Sequence, residues 1–281
     1  MQQSNDFARS YMVKAYFVFG IAMYIFFYRM ISNSMLSQMN HPIFLFGDKE
    51  WFYQIFISSG IAQFLTGNTL YAAVFDVSLL VFTVGFLLSG YRIYAMLFSL
   101  QVLIYFLTYN VVTGHHYHGL IGLLVITIPF WFKNEKKFAV MWEAARYYFL
   151  YLFASAALWK ILRGSAFYQE QLSDILKSQQ INLLLQNPQN YRAHIIQYMI
   201  SHTAVSHVVL LIDVVLQLAF VIGFFTKKFD TILFVLAIVF CIGNYFVMSI
   251  LSAELLILNL TLLDWQKVET YLLKKEIITA Q

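Results

Sequence analysis

The chain is short of charge. Only 11% of its 281 residues are Asp, Glu, Lys or Arg, while 60% are hydrophobic. A soluble domain is normally about 25% charged, and a surface this apolar would be badly exposed in water. The expected solvent is therefore a bilayer. Cysteine is almost missing too. Cys241 stands alone, which excludes an intrachain disulfide and leaves the redox compartment unread. A formal net charge of +4 is too small to point to nucleic acid, and no basic run is interleaved with aromatics in a water-soluble context. There is no phosphate-binding glycine loop, no Cys-x-x-Cys pair, no nucleophile elbow and no HExxH helix. Membrane di-iron hydroxylases need repeated His-rich boxes; one box occurs here, and no metal ligand set is assigned.

What is present is apolar length. A transmembrane helix needs roughly 20 mostly apolar residues. Eight segments qualify as candidates: 11–31, 69–90, 93–112, 116–132, 141–162, 204–225, 230–249 and 251–265. The last is short enough to be re-entrant. The first follows Arg9 and Lys14 as a signal sequence would, but no small-x-small cleavage site follows it, so it reads as an uncleaved anchor. Aromatics make up 19% of the chain, as suits a protein with Tyr and Trp at headgroup interfaces. The expected fold is all-α: one polytopic membrane bundle, spanning residues 1–281, with about eight transmembrane helices.

Loop cations orient this bundle, because cytoplasmic loops collect Lys and Arg. With the N-terminus in the cytoplasm, the cytoplasmic segments hold Arg9 and Lys14, then Arg92, then Lys133, Lys136 and Lys137. Lys227 with Lys228, and Lys267 with Lys274 and Lys275, complete the set. The outer segments hold only Lys49, Arg163, Lys177 and Arg192 over a longer stretch. An even helix count returns the C-terminus to the cytoplasm. Two outer segments are long, 32–68 and 163–203. In the second, Phe167, Leu172, Ile175, Leu176 and Leu183 recur at helical spacing among polar residues, as in an interfacial helix. Asn187-Pro188 breaks the run, and a short helix over about 190–200 follows.

In this topology all seven histidines fall on or near the outer side: His41, His115, His116, His118, His194, His202 and His207. Histidine titrates near neutral pH and is the commonest metal ligand; it also avoids hydrocarbon and gathers in interfacial loops. His115-His116-Tyr117-His118 opens a helix at the membrane edge and is the better functional candidate. Lys160 is the sharpest single residue. A lysine within a transmembrane helix costs about 2.5–3.5 kcal/mol on insertion scales. It lies near the helix end and can snorkel to the headgroups, although Arg163 already offers a charge there. The preceding Ala154, Ser155, Ala156 and Ala157 permit close helix packing, which would turn Lys160 into the bundle as a candidate general base. Asp76, Asp213 and Glu254 lie within or at the ends of apolar segments; Arg29, Asn110 and Asn244 add polar groups at outer helix ends. They read as a wet cavity lining or as ion pairs that tie helices together.

Four patches at these positions resemble the horizontally transferred transmembrane domain, the membrane part of the vitamin K-dependent gamma-glutamyl carboxylases. The first runs from Gly85 through Gly90 to Arg92. The second is Gly114-His115-His116-Tyr117 followed by Gly119 to Leu124. The third runs from Tyr151 to Lys160, then Gly164 to Ala166. The fourth runs from His207 through Asp213 to Gly223 and Thr226. Together they cover about residues 70–255, in the family's order and at about its spacing. The resemblance implies a helical fold in a bacterial-type inner or plasma membrane, with a site opening outward. It implies Lys160 as the base that deprotonates a vitamin K-type quinol such as menaquinol, with His115 or His116 assisting. Tyr117, His118, His207, Asp213 and Asn244 are then expected to shape the substrate pocket.

The sequence departs from that pattern in three places. Cys241 stands where the family's next-to-last helix has a histidine, leaving only Asn244 of the signature. Gly114 stands where the second patch has asparagine. The carboxylases' large extramembrane domain, which holds propeptide and glutamate substrate, has no counterpart in these residues. Three functional expectations follow. One is a carboxylase-like enzyme acting on a quinone-like, lipidic or peptide substrate. Another is a non-catalytic module that binds or escorts a peptide, small protein or lipid, as in toxin maturation. The third is a quinone-linked electron-transfer protein resembling the DoxX type.

Overall fold

The computed structural model describes residues 2–39, 42–44, 50–112, 119–248 and 253–279. These residues are helical, with no strand among them. In chain order the α-helices are α1 (Gln2–Ile31), α2 (Trp51–Ser58), α3 (Ile61–Thr66), α4 (Thr69–Ser89), α5 (Arg92–Val112), α6 (Gly119–Thr127) and α7 (Glu135–Leu162). There follow α8 (Gln171–Gln179), α9 (Ile181–Gln186), α10 (Tyr191–Ser201), α11 (Thr203–Leu218), α12 (Asp230–Met248), α13 (Ala253–Leu256) and α14 (Trp265–Thr279). Tighter 3-10 turns prolong three of them: Ile128–Trp131 after α6, Ala219–Phe224 after α11 and Ile257–Leu262 after α13.

Among the described residues, five stretches are long and apolar enough to cross a membrane: Asp6–Gln38, Thr69–Ser89, Arg92–Val112, Thr203–Phe224 and Asp230–Met248. This is consistent with an integral membrane protein. Two more apolar stretches, Gly119–Trp131 and Ala253–Leu262, are shorter than a full span. The eighth candidate lies in α7, whose 28 residues are long enough but carry Arg146 and Lys160 within the apolar part.

Helix ends follow ordinary capping chemistry. The Asn68 side chain accepts from Leu70 N (2.9 Å) to start α4, and Asn190 accepts from Arg192 N (2.9 Å) to start α10. Both satisfy an otherwise orphaned first-turn N–H. Gly90 ends α4 with φ 62°, a left-handed conformation that favours glycine.

The chain divides into two compact units: residues 1–145 with 253–281, and residues 146–252. In the first, α1 packs on α4, α4 on α5, and α5 on α6. Its core is aromatic. The rings of Tyr11 and Phe138 lie 5.2 Å apart, those of Phe19 and Phe86 4.3 Å, and those of Phe86 and Phe130 5.8 Å. Aromatic rings bring large buried area, and edge-to-face pairs add to it. The Tyr11 hydroxyl donates to the Phe130 carbonyl (2.9 Å), while Lys14 reaches Glu269 of α14 (3.6 Å). The start of α1, the end of the α6 segment and α14 therefore share one end of this unit.

The second unit holds the rest of α7 with α8 to α12. The rings of Phe153 and Phe220 stack at 4.2 Å, and Ala157 is fully buried against Ala166 and Val214. The expected interfacial segment is three short helices. Leu172 and Leu176 of α8 pack with Ile196 and Met199 of α10 and Leu210 of α11, whereas Phe167 stays 72% exposed. The chain breaks between α9 and α10 at Asn187-Pro188, as the sequence predicts.

Candidate functional site

Small residues place Lys160. Ala157 lies one turn before it on α7 and is buried against Val214 of α11. Residues three and four apart share a helix face, so the face that packs through Ala157 also turns Lys160 toward α11. There Lys160 Nζ donates to Asp213 Oδ2 and to Gln217 Oε1 (3.0 Å). Asp213 and Gln217 are themselves one turn apart, and Gln217 Nε2 approaches both Asp213 oxygens at 3.4 Å. The lysine and aspartate side chains are 29% and 30% exposed, so the pair is neither sealed in the core nor free in solvent. Ser165 Oγ donates to the Lys160 carbonyl (3.0 Å), which fixes the last turn of α7. An ammonium has three N–H donors; two are engaged here, and the third is available to a ligand.

Of the other residues singled out in the sequence, His207 and Asn244 are half-buried on α11 and α12. Among the described residues neither hydrogen-bonds to the Lys160–Asp213 pair, and His207 Nδ1 is buried without a hydrogen-bond partner. Cys241 is a buried free thiol on α12, one turn before Asn244. His41, His115, His116, Tyr117 and His118 lie outside the described residues. Among the described residues no group of His, Cys, Asp and Glu could hold a metal ion.

A second polar centre lies in the first unit. Arg29 Nη1 donates to Glu254 Oε1 (2.6 Å) and Nη2 to the Ser34 carbonyl (3.1 Å). Its guanidinium sits 4.5 Å from the centroid of the Tyr109 ring, a cation–π distance. The Tyr109 hydroxyl donates to the same Ser34 carbonyl. Tyr105 donates to Asp76 Oδ1 (2.9 Å) and accepts from Leu36 N (2.7 Å), while Ser37 N donates to Asp76 Oδ2 (2.9 Å). Arg29, Asp76 and Glu254 are all nearly fully buried. Their role here is to tie α1 and the turn after it to α4, α5 and α13. Tyr105 and Tyr109 carry no sequence signal beyond their spacing of four.

The third polar centre escapes the sequence reading altogether. Arg146 is only 2% exposed. Its Nε donates to Asp230 Oδ2 (2.8 Å), and its Nη2 donates to Asp230 Oδ1 (2.6 Å) and to the Gly223 carbonyl (2.9 Å). This is the two-pronged geometry that suits a guanidinium to a carboxylate. The only signal in the sequence is an arginine inside an apolar helix.

The class of protein these features define is an all-helical one, with membrane-length apolar helices and paired charges inside them. No family model, no curated protein and no solved structure matches the chain.

Proposed function

We propose that the chain is an integral membrane protein of eight spans that handles a proton at Lys160 for a quinone-like or other lipidic substrate. In this reading both termini are cytoplasmic, the Lys160 end of α7 faces outward and α8 to α10 lie along the outer interface. The observation that carries the proposal is the Lys160 ammonium held by Asp213 and Gln217 on the neighbouring helix, half-buried and with one donor to spare. The four sequence patches that resemble the vitamin K-dependent carboxylases support it, since Lys160 falls on the lysine that acts as their base.

The donor set fits a quinone-type group. The spare N–H of Lys160 matches a quinone carbonyl, and the Asp213 carboxylate matches a quinol hydroxyl. In its reduced, quinol form such a group would supply a phenolic hydroxyl. The chain's own residues do the rest. A proton passed from Lys160 Nζ to Asp213 Oδ2 leaves a neutral amine beside a neutral carboxyl. The neutral amine then accepts the substrate's hydroxyl proton at Nζ and is again an ammonium. Gln217 keeps the Asp213 carboxyl in place throughout. His115 or His116 assists from the outer side in the carboxylase-like scheme.

The test uses purified protein in lipid nanodiscs. Menaquinone should quench tryptophan fluorescence, with Trp159 next to Lys160 as a built-in reporter. Lys160→Met should abolish menaquinol turnover while melting at the native temperature. Unchanged turnover in Lys160→Met, or no menaquinone binding by the native chain, overturns the proposal. One observation favours the second reading, a peptide or lipid escort: a buried thiol, Cys241, at the position of the carboxylases' histidine. A tight protein partner that co-purifies without quinone would select that reading.

A further inference from the structure

A groove of about 400 Å³ opens in the first unit, between the start of α1 and the end of α4. Phe7, Tyr11, Met12 and Tyr16 form one wall, and Leu87 and Leu88 the other. The volume falls within the range of ligand-sized clefts, about 300–1,000 Å³. Its walls are mostly apolar, with Ser89 and Lys133 among the lining residues, and partly open to the surroundings, with Tyr16 55% and Leu88 84% exposed. The Tyr11 hydroxyl is already engaged by the Phe130 carbonyl (2.9 Å). The backbone needed at Gly90 brings α4 to within van der Waals reach of α1, where a side chain would meet Met12 Sδ at 3.6 Å.

One charge sits at this groove. Lys133 lines it, and its ammonium lies 5.7 Å from the Tyr91 ring centroid. Among the described residues Lys133 forms no ion pair, whereas Lys14 and Lys267 nearby in the same unit are matched by Glu269 and Asp264. Arg9, next to Ala8 of the groove, and Arg92, two residues past Gly90, are also exposed and form no ion pair among the described residues; the exposed Asp6 and Glu135 lie as near in sequence, so three cations stand against two acids there. The site is thus an apolar trough ending in net positive charge. That is the shape of a glycerophospholipid: acyl chain along the wall, phosphate at the end.

We propose that this groove binds one anionic phospholipid, with an acyl chain between α1 and α4 and the headgroup phosphate on Lys133. A zwitterionic lipid would bring its own cation to a place that already has an excess. Basic pockets between membrane helices recognise anionic headgroups in this way. The site is independent of whatever Lys160 does.

Native mass spectrometry of the purified full chain, with phosphatidylglycerol or phosphatidylcholine of matched acyl chains, tests it. Phosphatidylglycerol should stay bound in preference. Lys133→Gln should lower its retention about fivefold, the weight of one lysine at an anionic surface, and Lys133→Arg should restore it. Ala8→Phe, which fills the trough, should lower retention of both lipids. Lys160→Met should change neither. Equal retention of the two lipids, full retention in Lys133→Gln, or displacement by inorganic phosphate or glycerol phosphate each overturns the proposal. Melting curves for the variants separate lost binding from lost folding, and the exposed position of Lys133 makes its substitution benign to the fold.

Discussion

Arg146 is the largest fully buried side chain among the described residues, and Asp230 pairs with its charge. Moving a guanidinium out of water is repaid only when geometry and hydrogen bonding are good. Here Asp230 takes two bonds and the Gly223 carbonyl a third. Removing one partner strands the other, so Asp230→Asn should destabilise the protein by about 3–5 kcal/mol. Replacing both, with Arg146→Met and Asp230→Leu, should cost far less, because nothing charged is left behind. Chemical denaturation in detergent micelles measures the difference. A double variant no more stable than Asp230→Asn alone would mean that the arginine's packing, not its pairing, holds the site. The same logic separates Arg146 from Lys160. The Lys160–Asp213 pair is about 30% exposed, so water screens what remains when one partner is lost, and Asp213→Asn should cost under about 1 kcal/mol. A pair that contributes little to stability yet sits inside an apolar helix is the better functional candidate of the two. In the sequence Lys160 and Asp213 both stand out as charges among apolar residues. Arg146 stands out in the same way, but its partner does not: Asp230 follows Lys227 and Lys228 and reads as an ordinary loop charge.

Among the elements, the two short apolar stretches are where the sequence is least informative. Residues 119–131 are apolar on all sides, and 253–262 are apolar apart from Glu254, Asn259 and Thr261, so periodicity gives little indication of which face is buried. The structure gives the face through one glycine. A Cβ on Gly122 would lie 2.2 Å from the Glu254 carbonyl oxygen and 2.8 Å from Leu255 Cα. Those are backbone atoms of α13 and cannot swing aside. Gly122→Ala should therefore force α6 from α13, at about 1–3 kcal/mol for overpacking, and disturb the Arg29–Glu254 pair beside it. Gly243 of α12 supplies the control, because a Cβ there meets nothing within 4 Å. Gly243→Ala should be neutral or stabilise by up to about 1 kcal/mol through helix propensity. Melting temperatures of the two variants decide; equal shifts would show that helix propensity alone governs both. The longer elements are far more legible. The segments 69–90 and 93–112 coincide with α4 and α5 nearly to the residue, because length, uniform hydropathy and a Gly90 stop all agree.

For the molecule as a whole, the proposed orientation rests on the cations of one set of loops. The bilayer's hydrocarbon core is about 30 Å thick. The α7 helix is continuous over 28 residues, and at 1.5 Å per residue it is about 42 Å long. Its two ends therefore reach opposite faces if it spans at all. Lys133, Lys136 and Lys137 precede or open it; Arg163 and the polar α8 to α10 segment follow it. In the proposed orientation, which follows the positive-inside rule, the first group would be cytoplasmic. Cys241 is the one native cysteine, so Cys241→Ala gives a blank background for single-cysteine labelling. In intact cells a membrane-impermeant maleimide should label Lys177→Cys and leave Lys133→Cys untouched; in inverted vesicles the pattern should reverse. Lys177 is a fair reporter, for it is half-exposed and holds only the surface pair with Asp174 (2.9 Å), a bond that raises its pKa and whose loss leaves the fold intact. Labelling of both positions from one side would mean that α7 does not cross, and the outward-facing Lys160 site would fall with it. The groove at Lys133 would survive that result, because its lipid is held by contacts within one unit and requires only that the unit sit in a bilayer.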